Sequence, residues 1–217
     1  MKRFLTAAAL AAVLAPAAAS TAAQAPAPAR SSPAGLSAAD KALVDRAAAY
    51  LQQLGAARGR FVQTDPNGAT AQGTVYLQRP GKIRFEYDPS RPLLVVSDGH
   101  NVKVYDKALK TFDQYPLGRT PLALFLAREV RLDKGVVVDR VERLPGGFAI
   151  TARDGRKQAE GRIRLVFSDG PMALREWSTV DRQGRTTRVR LSGLTEVASL
   201  DAKLFQLRDP NARAGRP

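Results

Sequence analysis

Residues 79–88 read Arg-Pro-Gly-Lys-Ile-Arg-Phe-Glu-Tyr-Asp. Past the Pro-Gly turn, the side chains alternate strictly. Ile83, Phe85 and Tyr87 fall on one face, and Arg84, Glu86 and Asp88 on the other. A period of two is that of a strand with one buried and one wet face. The same alternation returns at Ile163, Leu165 and Phe167 against Arg162 and Arg164, and at Val189 and Leu191 against Arg188 and Arg190.

Working outward, strands are expected at 58–64, 71–78, 82–88, 92–97, 101–106 and 111–115. After a break come 136–143, 147–153, 161–168, 172–181 and 185–193. Turn chemistry separates them: Asp65-Pro-Asn-Gly68, Ser97-Asp-Gly99, Pro145-Gly-Gly147, Asp154-Gly155 and Asp181-Arg-Gln-Gly184. Short strands with regular turns predict an antiparallel meander curled into a barrel or half-barrel. Much of the positive charge then lies on the solvated outer side of the sheet.

The break holds Thr120-Pro-Leu-Ala-Leu-Phe-Leu-Ala127, read as a short helix with Thr120 as N-cap and Pro121 at its first position. Nearly continuous apolarity requires it to lie on an apolar surface. A first helix is expected over 37–54, capped by Ser37 with Asp40 three residues on. Leu43, Ala47, Tyr50, Leu51 and Leu54 form its apolar stripe. The two helices together would cover the concave apolar face of the curled sheet.

The 217 residues carry 34 Lys+Arg against 20 Asp+Glu, a net charge of +14, and no cysteine. Without cysteine there is no disulfide framework, thiolate metal site, cysteine nucleophile or lipid-modified N-terminal cysteine. One histidine, His100, read as a solvent-facing loop residue, leaves little for a metal site or a catalytic relay. Nucleophile-elbow, phosphate-loop, dinucleotide and metalloprotease motifs are all missing. Glu86 and Asp88 share a face but sit among arginines, as a solvated charge pattern does. No enzyme activity, metal or cofactor is expected.

Met1-Lys2-Arg3, the apolar run Phe4–Leu14 and the small residues after it have the pattern of a secretory signal peptide. Cleavage is expected after residue 19, or alternatively after 23. It removes Lys2 and Arg3. A net charge of +14 alone would suggest nucleic acid or an anionic membrane surface, but an exported protein does not meet cellular nucleic acid, and no nucleic-acid partner is expected. Residues 20–36 read as an Ala/Pro-rich flexible leader, 37–210 as one domain and 211–217 as a tail.

Several segments together resemble the LolA-type periplasmic lipoprotein carriers. They are Arg60-Phe-Val-Gln63, Gly73 through Tyr87, Val95-Val-Ser-Asp-Gly99, Val104-Tyr-Asp106, Thr120-Pro-Leu122, Leu200-Asp-Ala-Lys-Leu-Phe205 and Asp209-Pro210. The resemblance spans about 37–210 and lies in the order and spacing of the segments, since the turns themselves are common. It implies a mainly β (α+β) fold: an incomplete antiparallel β-barrel of about eleven strands with a helical lid over an apolar cavity.

The resemblance implies a function too. Such carriers accept acylated lipoproteins from an inner-membrane lipoprotein-releasing ABC transporter and take them across the periplasm. Delivery is to an outer-membrane lipoprotein acceptor or to the outer membrane itself. By motif, Arg79 matches a lid latch, and Leu51, Ile83, Phe85, Leu122 and Phe125 match acyl-chain cavity positions. The family wall often carries a tryptophan where this chain has Phe85, and Trp177 falls elsewhere in the sequence. The acceptor of this pathway shares the fold but is itself anchored through a cysteine, so a cysteine-free chain resembles the soluble, monomeric carrier. The alternative reading is an envelope lipid-binding or stress-sensing module of the same fold.

Overall fold

In the computed structural model, the described residues are 35–130, 135–156, 159, 161–181 and 183–212. The expected signal peptide, all of the leader but its last two residues, and the end of the tail lie outside them. The first helix, α1, is Ala38–Gln53. The Ser37 hydroxyl oxygen accepts from the Asp40 amide at 3.1 Å and donates to the Asp40 carboxylate at 2.8 Å. Leu43, Val44, Ala47 and Leu51 form its buried stripe.

Eleven strands follow, each where the alternation and the turns placed one. The first meander is β1 Ala56–Thr64, β2 Thr70–Gln78, β3 Lys82–Tyr87, β4 Leu93–Asp98, β5 Asn101–Asp106 and β6 Thr111–Pro116. The second is β7 Val136–Leu144, β8 Gly147–Asp154, β9 Arg162–Asp169, β10 Met172–Val180 and β11 Thr186–Glu196. All pair antiparallel in the single order β6-β5-β4-β3-β2-β1-β11-β10-β9-β8-β7. The pairing of β1 with β11, for instance Phe61 opposite Leu191, joins the two meanders. β6 and β7 remain as edges, so the barrel is open. Register irregularities at Arg58/Arg60, Val138/Arg140 and Leu174/Glu176 add curvature where the sheet wraps.

Ile83, Phe85 and Tyr87 point inward with Ile163, Leu165, Phe167, Val189 and Leu191, and α1 lies in the same core. Phe61 is its hub, edge-on to Phe85 at 5.1 Å and to Tyr87 at 5.0 Å between ring centres. On the outside, acids are shared between arginines. Glu176 pairs with Arg188 and Arg190, Glu142 with Arg140 and Arg164, and Asp139 with Arg153 and Arg162.

The outer face is not wet throughout, contrary to the expectation from alternation. Leu94, Val96 and Phe205 form a second buried cluster, covered by Tyr76, Leu200, Leu204 and Leu207. The 3-10 turn Ala202–Phe205 lays this segment across the back of β3 and β4. Asp201 caps the turn by accepting from the Lys203 amide at 2.8 Å, and Arg84 donates to the Leu204 carbonyl at 3.1 Å. β4 is apolar on both faces because it is covered on both.

The break between meanders also differs from expectation. It contains a 3-10 turn, Leu117–Arg119, and then a single helical turn, α2, at Ala123–Leu126. Thr120 does not cap α2. Its hydroxyl donates backward to the Leu117 carbonyl at 2.8 Å, within the 3-10 turn, and no side chain caps α2.

Candidate functional site

Between residues 120–122, just before α2, and the inner face of the sheet lies a cavity of about 220 Å³. Phe85, Tyr87 and Val95 wall it from the first meander, Trp177 and Val189 from the second, and Pro121 and Leu122 from the lid. Gln63, Thr120, Thr179 and Thr187 add polar groups around this lining. The Tyr87 hydroxyl donates to the Gln63 side-chain oxygen at 2.7 Å, and burial pushes its pKa up to about 12, so it stays neutral. Ligand pockets commonly hold roughly 300–1,000 Å³. The space is small for a long acyl chain.

Of the expected cavity residues, Phe85 and Leu122 line the space directly. Leu51, Ile83 and Phe125 are 0%, 2% and 1% exposed in the surrounding core and do not line it. Trp177 is the residue that the sequence reading missed. It packs against Phe85 at 5.8 Å and against Phe125 of the lid at 5.5 Å, in the cavity wall itself. Only the wrapping of β10 opposite β3 brings it there, and nothing local in the sequence signals that approach.

Arg79 leaves the end of β2 half-buried. Its guanidinium donates through Nη1 to the Leu51 carbonyl in the last turn of α1, and through Nη2 to the Ala127 carbonyl just past α2. Helix ends leave carbonyls without intrahelical partners, and a guanidinium suits them in number of donors and in charge. Burial lowers the Arg79 pKa from its ordinary value. Its Nε and the neighbouring Gln78 Oε1 are buried without hydrogen-bond partners among the described residues. The turn after Arg79 grips the lid as well. The Gly81 amide donates to the Leu126 carbonyl at 2.8 Å. The buried Ser97 hydroxyl in turn donates to the Gly81 carbonyl at 2.7 Å.

A second and larger cavity, about 400 Å³, touches the lid at Ala123, Leu124 and Ala127. Glu129, Asp154 and Arg156 give it a charged wall, which does not suit an apolar chain. His100 is exposed, and among the described residues no three potential metal ligands cluster.

The family model "Outer membrane lipoprotein carrier protein LolA" matches residues 52–208. The chain belongs to the LolA family. An outer-membrane lipoprotein carrier protein of Methylococcus capsulatus is 31% identical over 156 residues, covering 69% of this chain and 74% of that one. One of Dechloromonas aromatica is 29% identical over 178 residues, covering 77% and 84%. Among solved structures, a LolA superfamily protein of Nitrosomonas europaea matches 77% of this chain and 97% of its own, at 10% identity and a TM-score of 0.46. The LolA match contains Arg79, the lid and both meanders.

Proposed function

We propose that this protein is a periplasmic carrier that takes up the acyl chains of lipoproteins beneath its lid and moves them to the outer membrane. The observation that carries the reading is the apolar cavity beneath the short apolar lid segment, with the Arg79 guanidinium bridging α1 and the end of that segment. Family membership and the names of the relatives support it. The expected domain, 37–210, contains all of this machinery. Export through the N-terminal segment, supply by an inner-membrane ABC transporter and delivery to an acceptor or to the membrane itself belong to the same proposal. The protein acts by binding and release, without chemical turnover.

The energetics are consistent with reversible loading. Hydrogen bonds to a charged group contribute roughly 1.5–3 kcal/mol each and a neutral one about 1 kcal/mol. Each buried methylene is worth roughly 0.8 kcal/mol. About five to nine methylenes therefore offset the two Arg79 bonds and the Gly81–Leu126 bond together. An acyl chain opens the latch by its own burial, and a departing chain lets it close.

The test is release of lipoproteins from spheroplasts by the purified mature protein. Stoichiometric appearance of soluble lipoprotein complex is expected. Extraction of free phospholipid alone would instead establish a lipid-binding module. Arg79→Leu is expected to hold its cargo longer and to slow transfer to acceptor membranes. Unchanged transfer kinetics would remove Arg79 from the mechanism.

A further inference from the structure

Gln52 sits one residue beyond Leu51 on the exposed side of α1, where a glutamine has no need of a protein partner. Its carboxamide nevertheless lies on the chain leaving the lid. Nε2 donates to the Arg128 carbonyl at 3.1 Å, and Oε1 accepts from the Val130 amide at 3.1 Å. One side chain thus serves a donor and an acceptor of the same stretch, as a neighbouring strand would. Val130 itself is buried in the main core. Two adjacent positions of α1 therefore hold the C-terminal end of the lid, Leu51 through Arg79 and Gln52 directly.

The N-terminal end is held differently. The Leu117 amide donates to the His100 carbonyl at 2.8 Å, a backbone bond that continues the β5–β6 pairing. Two side chains from outside the lid and the Gly81 amide therefore fasten one end, and the sheet ladder fastens the other.

We propose that Gln52 is the second half of the lid latch, and that the lid lifts from its Ala127–Val130 end while Leu117–Thr120 stays on β5. This rests on the carrier reading above. Gln52 is a positioning residue: it touches the lid, not the cavity. Geometry requires a carboxamide of this length. Glutamate lacks the donor for the Arg128 carbonyl, asparagine is one methylene short, and alanine loses both bonds.

The experiment uses the purified mature protein and the uncharged apolar dye N-phenyl-1-naphthylamine. Apparent affinity scales with the open fraction of the lid. Loss of two exposed neutral hydrogen bonds in Gln52→Ala is expected to tighten dye binding about fivefold to tenfold. Gln52→Glu is expected to fall between Gln52→Ala and the parent. Amide exchange supplies the direction of opening. The Val130 and Gly81 amides, bonded to Gln52 and to the Leu126 carbonyl, should exchange faster in Gln52→Ala. The Leu117 amide should not change, and the urea midpoint should fall by no more than the free energy that the dye shift reports.

Unchanged dye affinity and Gly81 exchange in Gln52→Ala, with tightening in Arg79→Leu, would overturn the role of Gln52 and leave the carrier reading intact. A lowered urea midpoint with unchanged dye affinity would reduce Gln52 to a structural contact and overturn the proposal likewise. Faster Leu117 exchange in step with Gly81 would overturn the direction of opening. Failure of lipoprotein release by the parent protein would instead strike the carrier reading itself.

Discussion

Ser97 and Gly81 show how a few atoms brace the turn after Arg79. Gly81 has φ +76°, and a Cβ there would stand 2.7 Å from the Gly99 Cα, so only glycine fits the turn. Ser97, fully buried, satisfies the Gly81 carbonyl. Ser97→Ala leaves that carbonyl without its partner and is expected to cost about 1–3 kcal/mol in urea unfolding. The next residue, Asp98, is pushed up by burial, but the amides of Asn101 and His100 and the Lys103 ammonium outweigh this and bring its pKa from 3.8 to about 2. A carboxyl depressed in the fold adds stability above its unfolded pKa, which is lost as pH falls. The parent protein should therefore lose stability between about pH 4 and pH 2, and Asp98→Asn should lose less of it across that window. Chemical denaturation at a series of pH values reads this directly.

At the scale of elements, what was local was legible. Every strand lies where alternation and turn residues put it, because both signals sit within the segment itself. The first helix follows from Ser37 and its stripe for the same reason. The lid helix was misread at its start because it begins later, after Leu122, and the Thr120 hydroxyl donates to the Leu117 carbonyl of the turn behind it. Trp177 was missed as a wall residue because its neighbours Phe85 and Phe125 are distant in sequence. The outer cluster was missed because β4 is apolar on both faces, and what covers its back arrives from the end of the chain. This last point has a consequence for stability without function. Phe205, 2% exposed, is expected to cost about 3 kcal/mol or more when replaced by alanine. Dye binding beneath the lid, on the opposite face of the sheet, should be unaffected.

For the whole molecule, the sequence carries a net charge of +14, and among the described residues arginines outnumber the acids they share on the outer face of the sheet. Exposed pairs of this kind contribute roughly 0–1 kcal/mol each and are screened by salt. Raising ionic strength is therefore expected to move the urea midpoint little. Transfer should slow with salt if the excess charge steers the protein toward acidic partner surfaces. Loading has its own signature. Trp177 stands between the sheet and Phe125 of the lid, so its emission should shift as cargo displaces that ring, and Tm should rise with cargo concentration.

The segment laid across the back of β3 and β4 makes the two halves of the molecule mechanically unequal. Behind these strands the wall is two layers thick, closed by Phe205 and the leucines around it. Among the described residues, no such apolar layer backs β8, β9 and β10. A close-packed double layer transmits strain instead of absorbing it, and a single sheet bends. Loading that swells the interior is therefore expected to deform β8–β10 more than the turn around Arg79, and amide exchange of the loaded protein reads this. If Arg79 is the latch we propose, it would then re-engage in the same register after each cycle.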